Sequence, residues 1–252
     1  MHAWKKAGHP SEHPEPWGRM GAFTTLHVLP DKNFLFLEEH LKRLRFSASH
    51  LELPWIPSEK EIIEKLDEVF VDHSEGTHLL LRICLFEDLL GFAVRPNYSD
   101  ANPVEGWLLP YRRPNPAIKC TVEKELYGTL SELEITREDW VILDPKDNDL
   151  RETATSNLIF AQGDELLIPE KRILNGITLQ KLLPILATEF RIIRGTPQDQ
   201  DIFEFEEILL CGTGRGIASL TKLSELGWSS RSNESYQKVR FLYEKLINSA
   251  GV

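Results

Sequence analysis

The sequence predicts two α+β domains, a smaller N-terminal one and a larger C-terminal one, each mixing helices and strands in the α/β manner. Three observations predict this. Runs of β-branched and aromatic residues alternate with amphipathic stretches along all 252 residues. At Pro110-Tyr111-Arg112-Arg113-Pro114-Asn115-Pro116, prolines crowd a segment that can be neither helix interior nor central strand, and so marks a boundary. The composition, 41% hydrophobic and 27% charged, is that of an ordinary globular chain, long enough to bury a core. The expected divisions are a domain over 1–111, a loop over 112–117 and a domain over 118–252.

The elements follow in order. Ala22–Val28 reads as a strand, and Pro30-Asp31-Lys32-Asn33 turns it back into Phe34-Leu35-Phe36 as a hairpin. Leu37, Leu41, Leu44, Ala48 and Leu51 then recur as one apolar helical face, with Lys42, Arg43 and Arg45 elsewhere around it. Ser58-Glu59-Lys60-Glu61 is a capping box that opens a second helix through Ile62, Ile63, Leu66 and Phe70. His78–Phe86 and Leu90–Val94 are expected to pair, with Gly106–Tyr111 as a third strand. Beyond the loop the pattern predicts a helix after Lys119, a strand at Trp140–Leu143 and a turn over 144–149. Asn157–Ala161 and Glu165–Ile168 flank Gln162-Gly163-Asp164 as a hairpin. A helix starts near Ile177, strands follow at Arg191–Arg194, Ile208–Cys211 and Ile217–Leu220, and Ser235–Ile247 closes the chain as an amphipathic helix. The N-terminal end, where His9 and His13 flank a proline-rich stretch, reads as mobile or loosely docked.

Several function classes are argued against. A formal charge of −10 opposes duplex nucleic acid, although a local basic pocket is compatible with it. Cys84, Cys120 and Cys211 stand far apart and no CxxC pair occurs, which points to reduced thiols, no zinc cluster and no metal. No apolar run approaches a membrane span, and the N-terminus lacks the apolar region of a signal peptide, so a cytoplasmic protein is expected. All eight histidines (His2, His9, His13, His27, His40, His50, His73, His78) precede residue 79, so chemistry seated later runs without imidazole unless the first part reaches across.

The residues able to carry chemistry each admit an ordinary reading. Gly212-Thr213-Gly214-Arg215-Gly216 follows an apolar strand; its N–H groups and the Thr213 hydroxyl suit an anion, and it also reads as a plain turn. Asn175-Gly176-Ile177-Thr178 opens a helix, leaving N–H groups at Ile177 and Thr178 for a phosphate or for a simple cap. Arg43 lies beside an apolar helical face, where an arginine is commonly just solvated. Glu152 lies in a polar segment between apolar strands. Lys119 follows the proline-rich boundary; a partly buried lysine there can form an imine with an aldehyde cofactor.

Taken in order, these motifs resemble those of the fold-type IV pyridoxal-phosphate enzymes, the class IV aminotransferases, from about Gly21 to Leu223. His40-Leu41-Lys42-Arg43-Leu44 resembles the family's phosphate-binding arginine helix, and Lys119 falls at its Schiff-base lysine. Glu152 with Asn157-Leu158-Ile159-Phe160 resembles the motif whose glutamate meets the pyridine nitrogen. Asn175-Gly176-Ile177-Thr178 and Gly212-Thr213 resemble its two phosphate-binding turns. The resemblance implies a D-amino-acid-aminotransferase-like fold, pyridoxal 5'-phosphate as cofactor, a small amine or amino-acid substrate, and a homodimer to which Arg95, Tyr111 or Arg112 could contribute across the interface. It assigns the phosphate to Arg43, Ile177, Thr178, Gly212 and Thr213, the ring nitrogen to Glu152, and imine and proton chemistry to Lys119.

Within the family, Phe23-Thr24-Thr25 resembles the F-x-T strand of the aminodeoxychorismate lyases, in which the threonine equivalent to Thr25 assists proton transfer. The tyrosine typical of aminotransferases is replaced by Lys124, the nearest tyrosine being Tyr127, and no Arg-x-His carboxylate trap stands at Arg82. The expected activity is a lyase that makes 4-aminobenzoate and pyruvate. Alternatives are an aminotransferase of branched-chain or D-amino acids, and a non-catalytic relative.

Overall fold

The computed structural model describes residues 1–70 and 76–250; His73 lies outside them. The chain falls into two compact units, the first formed by 1–97 with 118–128 and the second by 98–117 with 129–250. The expected cuts at 111 and 118 are therefore displaced on both sides. The strand at Val104–Pro110 finds its partners in the second unit, and the Lys119 segment finds its own in the first.

The first unit is built on five described strands: β1 (His2–Lys5), β2 (Pro10–Ser11), β3 (Ala22–Val28), β4 (Leu79–Leu85) and β5 (Leu89–Pro96). They run antiparallel in the order β2-β1-β5-β4-β3. The N-terminal end expected to be loose is a paired strand instead. Lys5 to His2 register with Leu89 to Phe92, and the Trp4 side chain is buried in the core. Helices α1 (Leu37–His50) and α2 (Glu59–Phe70) bury their apolar stripes against one sheet face. Strand alternation explains which face: Ala22, Leu26, Leu81, Ile83, Leu90 and Phe92 join Leu41, Leu44, Ile62 and Leu66 in one core. The Ser58–Glu61 capping box forms, each partner bonding the other's backbone N–H. The helix expected after Lys119 is a single turn, α3 (Lys124–Tyr127).

The second unit contains nine described strands: β6 (Val104–Pro110), β7 (Glu138–Asp144), β8 (Asp149–Thr153), β9 (Asn157–Gln162), β10 (Glu165–Ile168), β11 (Arg191–Arg194), β12 (Glu207–Gly212), β13 (Gly216–Leu223) and β14 (Trp228–Ser229). Six of them close a ring, β9-β12-β13-β6-β7-β8, because β8 returns to β9 through the Glu152–Asn157 pair. The segment carrying Glu152, read from sequence only as polar, is a strand whose five residues are all buried. Ring interior packing, not periodicity, makes it one. The hairpin around Gln162-Gly163-Asp164 forms as expected. Helices α4 (Ile177–Leu186) and α5 (Glu234–Ala250) pack on Ile159, Leu166, Leu209 and Ile217. No described helix is long and apolar enough to cross a membrane.

Candidate active site

In the first unit, Lys119 is tied to the start of β3. Its carbonyl accepts the Phe23 N–H at 3.0 Å, its own N–H donates to Ser47 Oγ at 3.1 Å, and Ala22 and Cys120 form an antiparallel bridge. The side chain is half-buried, with Nζ 4.7 Å from the centre of the Phe23 ring and 5.3 Å from that of Tyr127. Trp17 completes an aromatic wall, stacked on Tyr127 and edge-on to Phe23, each at 5.2 Å. The single turn of α3 is what brings Tyr127 here, although its sequence position is not that of the family's tyrosine.

Thr25 stands two residues beyond Phe23, hence on the same sheet face, and is half-buried. Its register partner is Arg82, whose guanidinium lies 5.0 Å over the Trp17 ring and whose buried Nε has no hydrogen-bond partner. Sequence reasoning set Arg82 aside for want of a following histidine. The signal that could have found it is its place between Leu81 and Ile83, both wholly buried in the opposite face.

Thr24 points the other way, into the α1 interface. Its Oγ1 accepts Arg43 Nη2 at 2.9 Å and lies 2.8 Å from His40 Nδ1. Burial brings the Arg43 pKa down to about 10, and its Nε has no hydrogen-bond partner. Of the expected residues the first unit thus carries Arg43 and Lys119, whose cations both act on His40, and Thr25 on the face of β3 away from Arg43.

The second unit gathers the others around the hairpin that closes its ring. Glu152 Oε1 accepts Arg113 Nη1 at 2.8 Å and Oε2 accepts the Leu174 N–H at 3.0 Å. Asn157, its partner across the ladder, donates from Nδ2 to the Leu174 carbonyl at 2.8 Å. Asn157 Oδ1 also lies so close to Gly176 that a Cβ there would collide with it, which is why glycine precedes α4. No side chain caps α4, so the N–H groups of Ile177 and Thr178 open its positive end. At the other flank, a Cβ on Gly212 would stand 2.7 Å from Ser156 Oγ. Arg215 does not reach outward from this turn. Its guanidinium donates to the Ile135 carbonyl at 3.0 Å and to the Glu138 carbonyl at 2.6 Å, and it pairs with Asp139, whose carboxyl is pushed up by burial. It is a strut for the turn that carries Thr213.

Two half-sets of groups are therefore assembled, one on each unit. The profile of the amino-transferase class IV family matches residues 21–223. The chain belongs to the class IV aminotransferases. That is a family of pyridoxal-phosphate enzymes, and its profile covers every expected site residue. No curated protein sequence matches the chain. Among solved structures, a branched-chain aminotransferase of Thermoproteus uzoniensis with norvaline has a TM-score of 0.81 at 16% identity, covering 99% of this chain and 95% of that one. A hypothetical aminotransferase of Mycobacterium tuberculosis in its PLP-bound form has 0.79 at 18%, covering 99% of both. The branched-chain amino acid aminotransferase of Escherichia coli has 0.75 at 15%, covering 95% and 91%. At these identities the likeness is one of fold.

The donor set of this class IV chain suits pyridoxal phosphate. A carbonyl needs an amine, and Lys119 offers Nζ against aromatic rings. A phosphate needs cationic and N–H donors; the first unit carries such a donor in Arg43, with its unpartnered Nε, and the second, taken by itself, in the uncapped start of α4. A protonated ring nitrogen needs a carboxylate, and Glu152 keeps lone pairs beyond its two bonds.

Proposed function

We propose that this chain binds pyridoxal phosphate and acts as a 4-amino-4-deoxychorismate lyase, releasing 4-aminobenzoate and pyruvate. When bound, pyridoxal phosphate supplies a carbonyl that captures a primary amine and a ring that accepts electron density from the bond broken beside it. As the family resemblance implies, Arg43, the N–H groups of Ile177 and Thr178, and the Gly212-Thr213 turn would hold the phosphate. Glu152 would hold the proton on the ring nitrogen. Lys119 takes and returns a proton at Nζ, with the Phe23 and Tyr127 rings excluding water from it. Arg82, opposite Thr25, offers its unpartnered Nε to a substrate carboxylate.

The observation that carries the lyase reading is Thr25 on the face shared with Phe23, whose ring touches Lys119 Nζ. From there its hydroxyl can hold a proton for the departing enolpyruvyl group. An aminotransferase of branched-chain or D-amino acids is the second reading, favoured by the branched-chain aminotransferases among the similar folds. The reading includes a homodimer, as the family resemblance implies, and a cytoplasmic location, as the sequence composition suggests. The test is an absorbance titration of the purified protein with pyridoxal phosphate, followed by parallel assays. Pyruvate release from aminodeoxychorismate, without amino transfer to 2-oxoglutarate, is expected; amino transfer alone overturns the lyase in favour of the second reading. Lys119→Ala is expected to lose both the cofactor absorbance and turnover.

A further inference from the structure

The interface between α1 and β3 is mostly apolar, its polar groups being Ser47, which accepts the Lys119 N–H, and a cluster at Thr24, His40 and Arg43. Around Ala22, Leu26, Leu41, Leu44 and Ala48, all buried, stand Thr24 and His40, both wholly or almost wholly buried as well. His40 and Arg43 are three residues apart on α1, so they share a helical face, and Thr24 alternates onto the sheet face that meets it. Polar groups placed in such a core cost stability unless paired, and here they pair only along a line. Arginine can only donate, so Thr24 Oγ1 accepts from Arg43 Nη2 at 2.9 Å. The Thr24 hydroxyl also meets His40 Nδ1, 2.8 Å away, as donor or acceptor according to the tautomer of the ring. Burial, with the Arg43 and Lys119 cations nearby, keeps His40 neutral by holding its pKa well below 6.5.

The consequence lies at the other end of the line. With Nη2 engaged by Thr24, the orientation of the guanidinium is set, and the Nε edge is left buried with no hydrogen-bond partner. A buried donor left open in this way is available to an acceptor from outside the protein, such as a phosphate oxygen. We propose that Thr24 and His40 are positioning residues that aim Arg43 at the phosphate of the cofactor. The inference rests on the pyridoxal-phosphate reading of the site and adds to it two residues on the side of β3 opposite Thr25. Neither touches the phosphate; both act through Arg43, by sparing it the entropy of finding its orientation on binding.

A merely structural role would affect all ligands alike, whereas aiming Arg43 affects only those that carry phosphate. The experiment is an equilibrium titration of wild type, T24V and T24S with pyridoxal phosphate and with pyridoxal, which lacks the phosphate. T24V is expected to bind pyridoxal phosphate about tenfold more weakly, the loss of roughly one aimed hydrogen bond. Its affinity for pyridoxal should be unchanged, and T24S, which keeps the hydroxyl, should match wild type. His40 supplies an independent pair: H40N retains a polar atom near the Nδ1 position and should bind like wild type, while H40Q should lose affinity as T24V does. Undiminished binding by T24V or H40Q overturns the proposal, as does an equal loss for pyridoxal or an equal loss in T24S. If T24V does not fold, H40N against H40Q decides. A wild type that binds neither compound overturns the cofactor reading, and this inference with it.

Discussion

Arg113 Nη1 donates to Glu152 Oε1 at 2.8 Å, and both side chains are almost wholly withdrawn from solvent. The pair joins the proline-rich loop to the strand that closes the β-ring. Taking two charges out of water is costly, and the cost is met only while both are present. Arg113→Ala should therefore destabilise the protein by about 3 kcal/mol in urea unfolding, because it leaves a buried carboxylate without its cation. Adding Glu152→Gln to that variant should restore most of the loss. An additive double variant would show that the pair is not coupled.

His40 gives a pH dependence with a definite sign. Its folded-state pKa lies well below the ordinary 6.5, chiefly through burial and then through the Arg43 and Lys119 cations. The unfolded chain therefore binds a proton below pH 6.5 that the folded protein does not. The stability this group contributes is fully present above that pH and drains as the pH falls, with a slope of up to about 1.4 kcal/mol per pH unit. Urea midpoints of wild type and H40Q, measured from pH 8 down to pH 5, should converge on the acid side if this holds.

Gly176 and Gly212 are fixed by close approach. A Cβ at Gly176 would strike Asn157 Oδ1, and one at Gly212 would stand 2.7 Å from Ser156 Oγ and 3.0 Å from the Thr155 carbonyl. Alanine at either position should cost about 1–3 kcal/mol, the usual price of overpacking. Thermal melts check this. Both variants should also bind pyridoxal phosphate more weakly, since the displaced residues form the turns assigned to phosphate.

Thr25 separates the two activities. On the lyase reading, Thr25→Val should lower kcat for aminodeoxychorismate about a hundredfold, the scale of a lost proton-transfer group. Cofactor affinity should stay unchanged. An undiminished kcat would remove Thr25 from the chemistry.

Much of this protein was legible in its sequence because the determining signals are local. The helical stripe Leu37–Leu51, the Ser58–Glu61 capping box and the hairpin about Gly163 each state their own structure within a few residues. The ordered motifs from His40 to Thr213 also sufficed to indicate the family that the profile match establishes. Tertiary structure decided whatever depended on partners distant in the chain. It paired the N-terminal residues with β5, carried β6 into the second unit, docked Lys119 on β3, and made a buried strand of the Glu152 segment. It also decided between adjacent threonines, sending Thr25 to the face of Phe23 and Thr24 toward Arg43. The physical reason is common to all of these. A strand acquires its identity from the ladder it joins, and a polar side chain acquires its role from the partners folding brings to it, neither of which is written in its neighbours along the chain.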